Sequence, residues 1–369
     1  MIDTLVIALM AAADENVFAA HGYHIDATYQ ERVRVAMKAR WAEGSALAGL
    51  SAARAVPSAF WVDTISRIGR HADGRASMRS LLSAAAGASP PSLVVFVLYN
   101  LPNRDCHAHA SNGELCCEYA ASGIAADSCV YDTRDARCSA GLTAYKHEYV
   151  DAFVAELVAQ PSVPVAVVLE PDSLPNLATN LNDPRCGNAA TRTAYVEGVS
   201  YAIGALSREV PRAALYLDAG HGGWLGWPEA ADQFIQIVSQ LPYRQLRGFA
   251  SNVANYQPLG EPCPASAFAI GAASLVDFCN SAARSPCCDD PCGKMAEHNQ
   301  ANNEHNYVQF LSARARHRLP DFQPRSLIDT GRNGVSGMRH DCAHWCNIRG
   351  AGLGREPSAK TSLPGLVDA

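Results

Sequence analysis

The chain has 369 residues, of which 48% are hydrophobic, so it can bury one large core at a length that single-domain α/β barrels reach. Its formal net charge is -6, and no run of Lys and Arg forms a basic patch, which argues against nucleic acid as a partner. The apolar stretch at residues 5–13 is too short to cross a membrane. The composition suits an enzyme that acts on a neutral substrate.

The N-terminus has some features of a secretory signal. Residues 5–13 have the length of its apolar core, but the preceding positive charge is missing and Asp3 stands there instead. We predict that residues 1–15 are a signal remnant or a disordered start, with a mis-assigned start or a short buried segment as alternatives. Residues 16–369 are predicted to form one domain.

Thirteen cysteines lie in sequence that is typical of loops. So many cysteines favour disulfides in an oxidising compartment, and hence a secreted protein. Zinc binding by Cys287, Cys288 and Cys292 is the alternative, but the sequence has no clean pair of Cys-x-x-Cys units and no partnered histidine spacing. The odd count leaves one thiol unpaired or one partner missing.

Short apolar segments alternate with amphipathic ones along the chain. Six segments are predicted to be strands: residues 59–62, 93–98, 163–169, 213–217, 246–250 and 326–328. Apolar residues at helical spacing predict helices at residues 144–160, 191–208, 230–241 and 306–317. Continuously apolar strands that alternate with helices indicate an α/β fold, with a parallel sheet covered by helices.

Nearly every predicted strand is followed by an acidic or amide residue: Asp63, Asn100, Glu170, Asp172, Asp218, Asn252 and Asp329. The carboxyl ends of parallel strands line the active site in α/β folds, so the pattern predicts a polar site at that edge. Each residue taken alone could instead cap a turn or a helix.

Two segments interrupt the alternation of strands and helices, residues 114–141 with four cysteines and residues 257–303 with five. Both are predicted to be long disulfide-tied loops.

Four carboxylates near strand ends suggest glycosidic chemistry: Asp105, Glu170, Asp172 and Asp218. Cleavage of a glycosidic bond needs one acid that protonates the leaving oxygen and a second carboxylate that activates water or attacks the sugar. Crowding of carboxylates in one cleft raises the pKa of at least one of them, as such an acid requires. A Mg²⁺ or Ca²⁺ site is the alternative, although no calcium-loop spacing is present.

Tryptophans could supply the sugar platforms, because an indole is a broad apolar ring with one donor. Trp224 and Trp227 are surrounded by glycines, which indicates an exposed loop, and Trp61 and Trp345 also lie in strand-end or glycine-rich segments. Trp41 lies in a helical stretch and is predicted to belong to the core.

These residues cluster in four segments: residues 99–106 with 110–114, 169–174 with 179–181, 216–228, and 248–256. Three shorter segments lie at residues 60–64, 328–334 and 344–347. In content and order, these segments resemble glycoside hydrolase family 6, the cellobiohydrolases and endoglucanases that cut β-1,4-glucan with inversion. The resemblance extends over residues 58–357, a span over which a chance match is not expected.

The resemblance implies a distorted TIM-like barrel of about seven parallel strands that forms a single glycoside hydrolase catalytic domain. It implies that Asp172 is the general acid, that Asp105 raises the pKa of that acid and organises the water, and that Tyr99 distorts the reactive sugar. Ten residues are expected to contact substrate: Trp61, Asp63, Ser111, Asp218, His221, Trp224, Trp227, Asn252, Asn255 and Trp345. A disulfide is implied between Cys106 and Cys186. No metal or other cofactor is expected, and a monomer is expected to bind a polysaccharide or cello-oligosaccharide.

The sequence departs from the family at two places. Asn100 stands where the family usually has Asp, which we expect to alter a hydrogen bond more than the mechanism. Beyond residues 350–359 the family continues through a last strand to a Lys-Pro-x-Gly-Glu-Cys/Ser-Asp segment that supplies the usual base, whereas this sequence ends at Ala369. We therefore expect a catalytic domain that is truncated at the C-terminus and lacks its last strand, through an incomplete sequence or through divergence.

Two functional hypotheses follow. The first is an inverting hydrolase of β-1,4-glucosidic bonds with Asp172 as the acid. The second is a catalytically impaired glycan-binding relative, motivated by the missing base segment. Exo versus endo action stays open, because it depends on whether residues 114–141 and 257–303 roof the cleft.

Overall fold

The computed structural model describes residues 15–38, 44–69, 76–108, 111–120, 129–270, 274–339, 341, 344 and 348–369. Six parallel strands form one sheet in the order of the sequence: β1 (Phe60–Val62), β2 (Val94–Leu98), β3 (Val165–Leu169), β4 (Ala214–Asp218), β5 (Gly248–Ser251) and β6 (Arg325–Ile328). All six predicted strands and the α/β class are confirmed. The predicted signal remnant lies outside the described residues except for Glu15.

Helices surround the sheet: α1 (Val17–Ala20), α2 (Ala27–Ala36), α3 (Gly44–Ala53), α4 (Met78–Ala86), α5 (Ser139–Thr143), α6 (Asp151–Val158), α7 (Ser173–Thr179), α8 (Ala189–Glu209), α9 (Gly222–Leu225), α10 (Pro228–Val238), α11 (Leu275–Ser281) and α12 (Glu304–Arg318). A π-helical turn (Ala144–Val150) joins α5 to α6. The four predicted helices are confirmed. In the described part of the chain, no helix has the length and apolar character that a membrane span needs.

The central strands are buried on both faces. Every residue of β3 and of β4 is buried, as expected for parallel strands covered by helices. Side chains of alternate strand positions fill the interior of the incomplete barrel, among them Val97, Val168 and Tyr216, and Phe18 of α1 packs with them. The other faces pack against the helices and form the larger core.

The sheet is not closed, because β1 and β6 form no pair within the described residues. The C-terminal residues nevertheless run parallel to β6. The Ser326 N–H donates to the Leu366 carbonyl at 2.7 Å, and the Ile328 N–H donates to the Ala369 carbonyl at 2.9 Å. Residues 366–369 therefore pair with β6 at the edge where the expected last strand would lie.

Asp368 fixes this C-terminal segment inside the barrel. Its carboxylate lies 2.5 Å from Nε of Arg247 and accepts a hydrogen bond from the Tyr216 hydroxyl at 2.7 Å. Its backbone carbonyl accepts a hydrogen bond from the Asn16 side chain at 3.0 Å. Because the Arg247–Asp368 ion pair is buried, removal of either partner would leave an uncompensated charge.

Disulfides tie the loops, as predicted. Five bonds join described cysteines: Cys106–Cys186, Cys116–Cys129, Cys117–Cys138, Cys263–Cys287 and Cys279–Cys288. Two of them lie within each of the two predicted loops. Bonds to Cys287 and Cys288 remove the thiolates that the zinc alternative required.

Candidate active site

Asp172 lies on a strained turn between β3 and α7. Glu170 and Asp172 both have positive φ, at 49° and 61°, a conformation that non-glycine residues adopt at a cost. Asp172 precedes the first turn of α7, but its side chain makes no capping hydrogen bond. Its backbone N–H donates to Oδ2 of Asp218 at 2.9 Å. The turn therefore joins the ends of β3 and β4 and leaves the Asp172 carboxyl group free of a structural bond.

Burial and neighbouring carboxylates favour the protonated form of Asp172. Burial raises its pKa well above the ordinary value, the charges of Asp218 and Asp105 raise it further, and Arg332 opposes them. Burial also raises the pKa of Asp218 to about 7, against two backbone N–H donors that favour its ionised form. Because Asp172 and Asp218 interact, they titrate as a pair and hold a proton near neutral pH.

Asp105 is fixed by Tyr99 and Ser111. The Tyr99 hydroxyl donates to Oδ2 of Asp105, and the Arg104 guanidinium lies 4.0 Å from the centroid of the Tyr99 ring. Burial raises the pKa of Asp105, whereas the hydroxyls of Tyr99 and Ser111 and the charge of Arg104 lower it. These contacts favour the ionised form of Asp105 and oppose the effect of its burial.

One aromatic group of the site is centred on Trp61. Its ring meets that of Tyr99 edge-on at 5.3 Å between centroids. Asp63 follows β1, its carboxylate lies 3.4 Å from Nε of Arg67, and its carbonyl accepts a hydrogen bond from Arg104 at 3.0 Å. Arg104 therefore links the ends of β1 and β2 and brings Trp61, Tyr99 and Asp63 together.

A second aromatic group lies on the glycine-rich turn that contains α9. Indole Nε1 of Trp224 donates to Oγ1 of Thr179 at 2.8 Å, and that of Trp227 donates to the Glu297 carbonyl at 2.8 Å. His221 lies 5.9 Å from Trp224 between ring centroids. Burial lowers the pKa of His221 to about 3, so the imidazole is neutral.

Asn252 and Asn255 differ in what their side chains can reach. The Asn252 amide donates to the Asp329 carbonyl at 2.9 Å and accepts from the Gln257 N–H at 3.1 Å, so it holds the loop after β5. Oδ1 of Asn255 is buried without a partner in the described part of the chain. Asn255 is therefore the better placed of the two for a ligand, while Asn252 supports the loop.

Glu170 points away from the cleft, unlike the other candidate carboxylates. It is fully buried and accepts hydrogen bonds from the Tyr145 hydroxyl at 2.7 Å and from the Asn100 N–H at 3.2 Å. Burial raises its pKa to about 7. The structure thus brings Asp172, Asp105 and Asp218 together and uses Glu170 as an anchor between β2 and β3. Trp345 lies outside the described residues, so its role stays a prediction.

Arg332 supports the site although sequence analysis gave it no role. Its guanidinium donates to the carbonyls of Val253 at 2.8 Å and Asn252 at 3.2 Å. Its charge also lowers the pKa of Asp172. Arg332 lies in segment 328–334, one of the segments that resemble the family, so its neighbourhood could have drawn attention to it. No residue pattern, however, indicates that an arginine will bind backbone 80 residues away.

Glu304 was also missed. This first residue of α12 is fully buried, and its Oε1 accepts a hydrogen bond from the Gly222 N–H at 2.9 Å. Burial raises its pKa to about 7, Asp218 adds to the rise, and Gly222 and the Ser251 hydroxyl oppose it. A glutamate in the first turn of a helix normally faces solvent, so the sequence contained no signal for this contact.

An incomplete parallel barrel with three crowded carboxyl groups between aromatic platforms is the arrangement of a glycoside hydrolase. The profile of the glycosyl hydrolases family 6 matches residues 18–126 and 132–369. The chain belongs to this family and is a hydrolase of the cellulase type, which acts on O-glycosyl bonds.

Individual relatives agree. The chain is 34% identical over 371 residues to 1,4-beta-D-glucan cellobiohydrolase C of Emericella nidulans, which covers 98% of this chain and 69% of the relative. It is similar in structure to cellobiohydrolase II of Humicola insolens in complex with glucose and cellotetraose, at 29% identity and TM-score 0.70, covering 96% of this chain and 84% of that one. Endoglucanase CEL6B from the same organism matches at 26% identity and TM-score 0.68, covering 96% and 88%. The chain spans 58% to 75% of the length of the curated relatives it matches.

Proposed function

We propose that the chain hydrolyses β-1,4-glucosidic bonds of cellulose or a related glucan with inversion, and that Asp172 is the general acid. The observation that carries the proposal is the position of Asp172, whose carboxyl group is surrounded by buried carboxylates and has a raised pKa. A protonated carboxyl group at the end of a barrel strand is what protonation of a leaving glycosidic oxygen requires.

The other residues of the site have complementary roles in this proposal. Trp61 on one side, and Trp224 and Trp227 on the other, hold the glucan across Asp172. The proton of Asp172 passes to the glycosidic oxygen as the bond to the anomeric carbon breaks. Water attacks the anomeric carbon from the opposite face and releases a proton to the solvent next to Asp105. The Asp105 carboxylate organises that water, and Tyr99 holds the carboxylate in place.

The same proposal covers the setting of the enzyme. Residues 16–369 act as a single catalytic domain, a monomer whose partner is a polysaccharide or cello-oligosaccharide. The five disulfides that join described cysteines favour secretion into an oxidising compartment. Exo and endo action can be distinguished by measuring the viscosity of a soluble glucan during hydrolysis. A rapid fall in viscosity would exclude a strictly processive exo enzyme.

Asp172→Asn tests the assignment. Asparagine has the same shape but cannot give up a proton, so kcat on unactivated cello-oligosaccharides should fall by about 10²–10⁴-fold. Affinity for cellotetraose should stay within about twofold, and proton NMR of the wild-type products should show the α-anomer first. The control is Asp321→Asn, which changes an exposed carboxylate that pairs with Arg244.

Full activity in Asp172→Asn would exclude Asp172 as the acid. A wild-type chain that binds cellotetraose without releasing shorter sugars would instead support the second hypothesis, a glycan-binding relative.

A further inference from the structure

An ammonium group lies over the outer aromatic platform. Lys294 begins a 3₁₀ turn (Lys294–Glu297), and its Nζ is 5.4 Å from the centroid of the Trp227 ring. The last residue of the same turn, Glu297, accepts the indole N–H of Trp227 through its carbonyl. One short turn therefore fixes the edge of the ring and places a cation over its face.

The charge of Lys294 is not neutralised by a neighbour. Within the described ranges, no carboxylate oxygen lies within the 4.0 Å of an ion pair from its ammonium, including that of the exposed Glu297. Lys146 provides the contrast. It lies 5.7 Å from the centroid of the Tyr201 ring, but it also pairs with Glu197 at 3.3 Å.

The field of Lys294 reaches the cleft. Together with Arg339, Lys294 adds to the lowering of the His221 pKa, after burial. His221 lies against Trp224, so the charge of Lys294 also acts close to this second ring on which the glucan is proposed to lie. A positive charge at this place is unexpected in a chain with a net charge of -6. A neutral glucan also has no charged group that could pair with the ammonium of Lys294.

We propose that Lys294 and Trp227 form a subsite for β-1,4-glucans that carry carboxylate groups. The pyranose ring stacks on the indole, and a carboxylate on that sugar or its substituent pairs with the ammonium. The inference rests on the proposed function, because it needs a glucan in the cleft. A hydroxyl gains little from exchanging water for Lys294, whereas a carboxylate gains an attraction that should raise affinity about 3- to 10-fold in a half-exposed site.

The test compares two polymers of matched chain length, the anionic carboxymethyl cellulose and the neutral hydroxyethyl cellulose. Affinity electrophoresis at low salt and pH 7 gives an affinity for each, with the full chain carrying Asp172→Asn so that the polymers stay intact. The measured quantity is the ratio of the two affinities. Lys294→Met keeps the apolar stem on the ring and removes the charge, and Lys146→Met is the matched control.

Lys294→Met should lower the ratio about 3- to 10-fold, whereas Lys146→Met should leave it within about twofold. Salt at 0.3 M, roughly three times the ionic strength at which the Debye length is about 10 Å, should bring the ratio of the parent protein close to that of Lys294→Met. An unchanged ratio in Lys294→Met, or an equal loss on both polymers, would overturn the inference and leave the proposed function intact. A protein that bound neither polymer would contradict both.

Discussion

The carboxyl cluster (Asp172, Asp105 and Asp218) and the aromatic side of the site (Trp224 and Trp227) are held in place in different ways. Asp172, Asp105 and Asp218 lie at the ends of consecutive strands. Asp105 and Asp218 accept hydrogen bonds from donors that are close in the sheet or in the chain, and the donor to Asp218 in the sheet is the backbone N–H of Asp172. Trp224 and Trp227 lie on one short turn instead, and their indole nitrogens bond to segments 45 and 70 residues away. The carboxyl cluster is therefore set by the sheet, and the aromatic side by loops that pack on it.

The difference implies a division of labour. Charge tuning needs buried groups at fixed spacing, and strand ends supply both. Stacking depends on exposed ring area and tolerates small displacements. Substitutions in the carboxyl cluster should therefore change kcat, while substitutions on the aromatic side should change affinity.

Tyr99→Phe should give the largest effect of the four substitutions considered next. Loss of the hydroxyl removes a charge-assisted hydrogen bond from Asp105, so the pKa of Asp105 should rise further and less carboxylate is available to organise water. We expect kcat on cellotetraose to fall about tenfold or more with KM nearly unchanged. Tyr201→Phe, which loses a hydroxyl bonded to Asp151, is the control. A change confined to KM would contradict the proposal that the carboxyl cluster controls kcat and the aromatic side controls affinity.

Trp224→Ala and Trp227→Ala should have smaller effects, and these should be on substrate affinity rather than on kcat. Each removes a stacking ring, which should weaken cellohexaose binding about 3- to 10-fold while kcat at saturation changes less than twofold. Calorimetry gives the affinities, and the Trp→Phe variants should recover most of the loss because the flat ring remains. A fall in kcat at unchanged affinity would show that the aromatic side takes part in the chemical step.

Much of the fold could be predicted because continuous apolar strands and helical spacing are local signals. Strands β3 (Val165–Leu169) and β4 (Ala214–Asp218) are buried throughout, so almost every residue contributed to the pattern. Helix α3 gave no such signal, because it consists mainly of Ala, Gly and Ser and buries no residue. A helix without a buried face has no apolar periodicity to detect.

The position of the carboxyl groups in the candidate site was predictable where it follows directly from the end of a strand. Asp172, Asp105 and Asp218 belong to this group. Glu170 and Asn252 follow strands as well, yet they bind protein atoms, since the direction of a side chain after a strand depends on local φ and on tertiary partners. Glu304 was not predictable, because its contact with Gly222 joins residues 82 positions apart.

Glu304 connects the carboxyl cluster and the aromatic side, since it is close to Asp218 and holds the turn that carries Trp224. Its pKa rises from 4.5 to about 7, so the folded protein keeps a proton that the unfolded chain releases at lower pH. Its contribution to stability is therefore full in acid and is lost as the pH rises through about 7. Glu304→Gln keeps the acceptor for Gly222 and cannot ionise. At pH 5 its melting temperature should match that of the wild type, and at pH 8.5 it should be higher by about 2–4 °C, measured at one scan rate with the disulfides intact. If the two proteins differed equally at both pH values, the ionisation of Glu304 would not be what destabilises the turn.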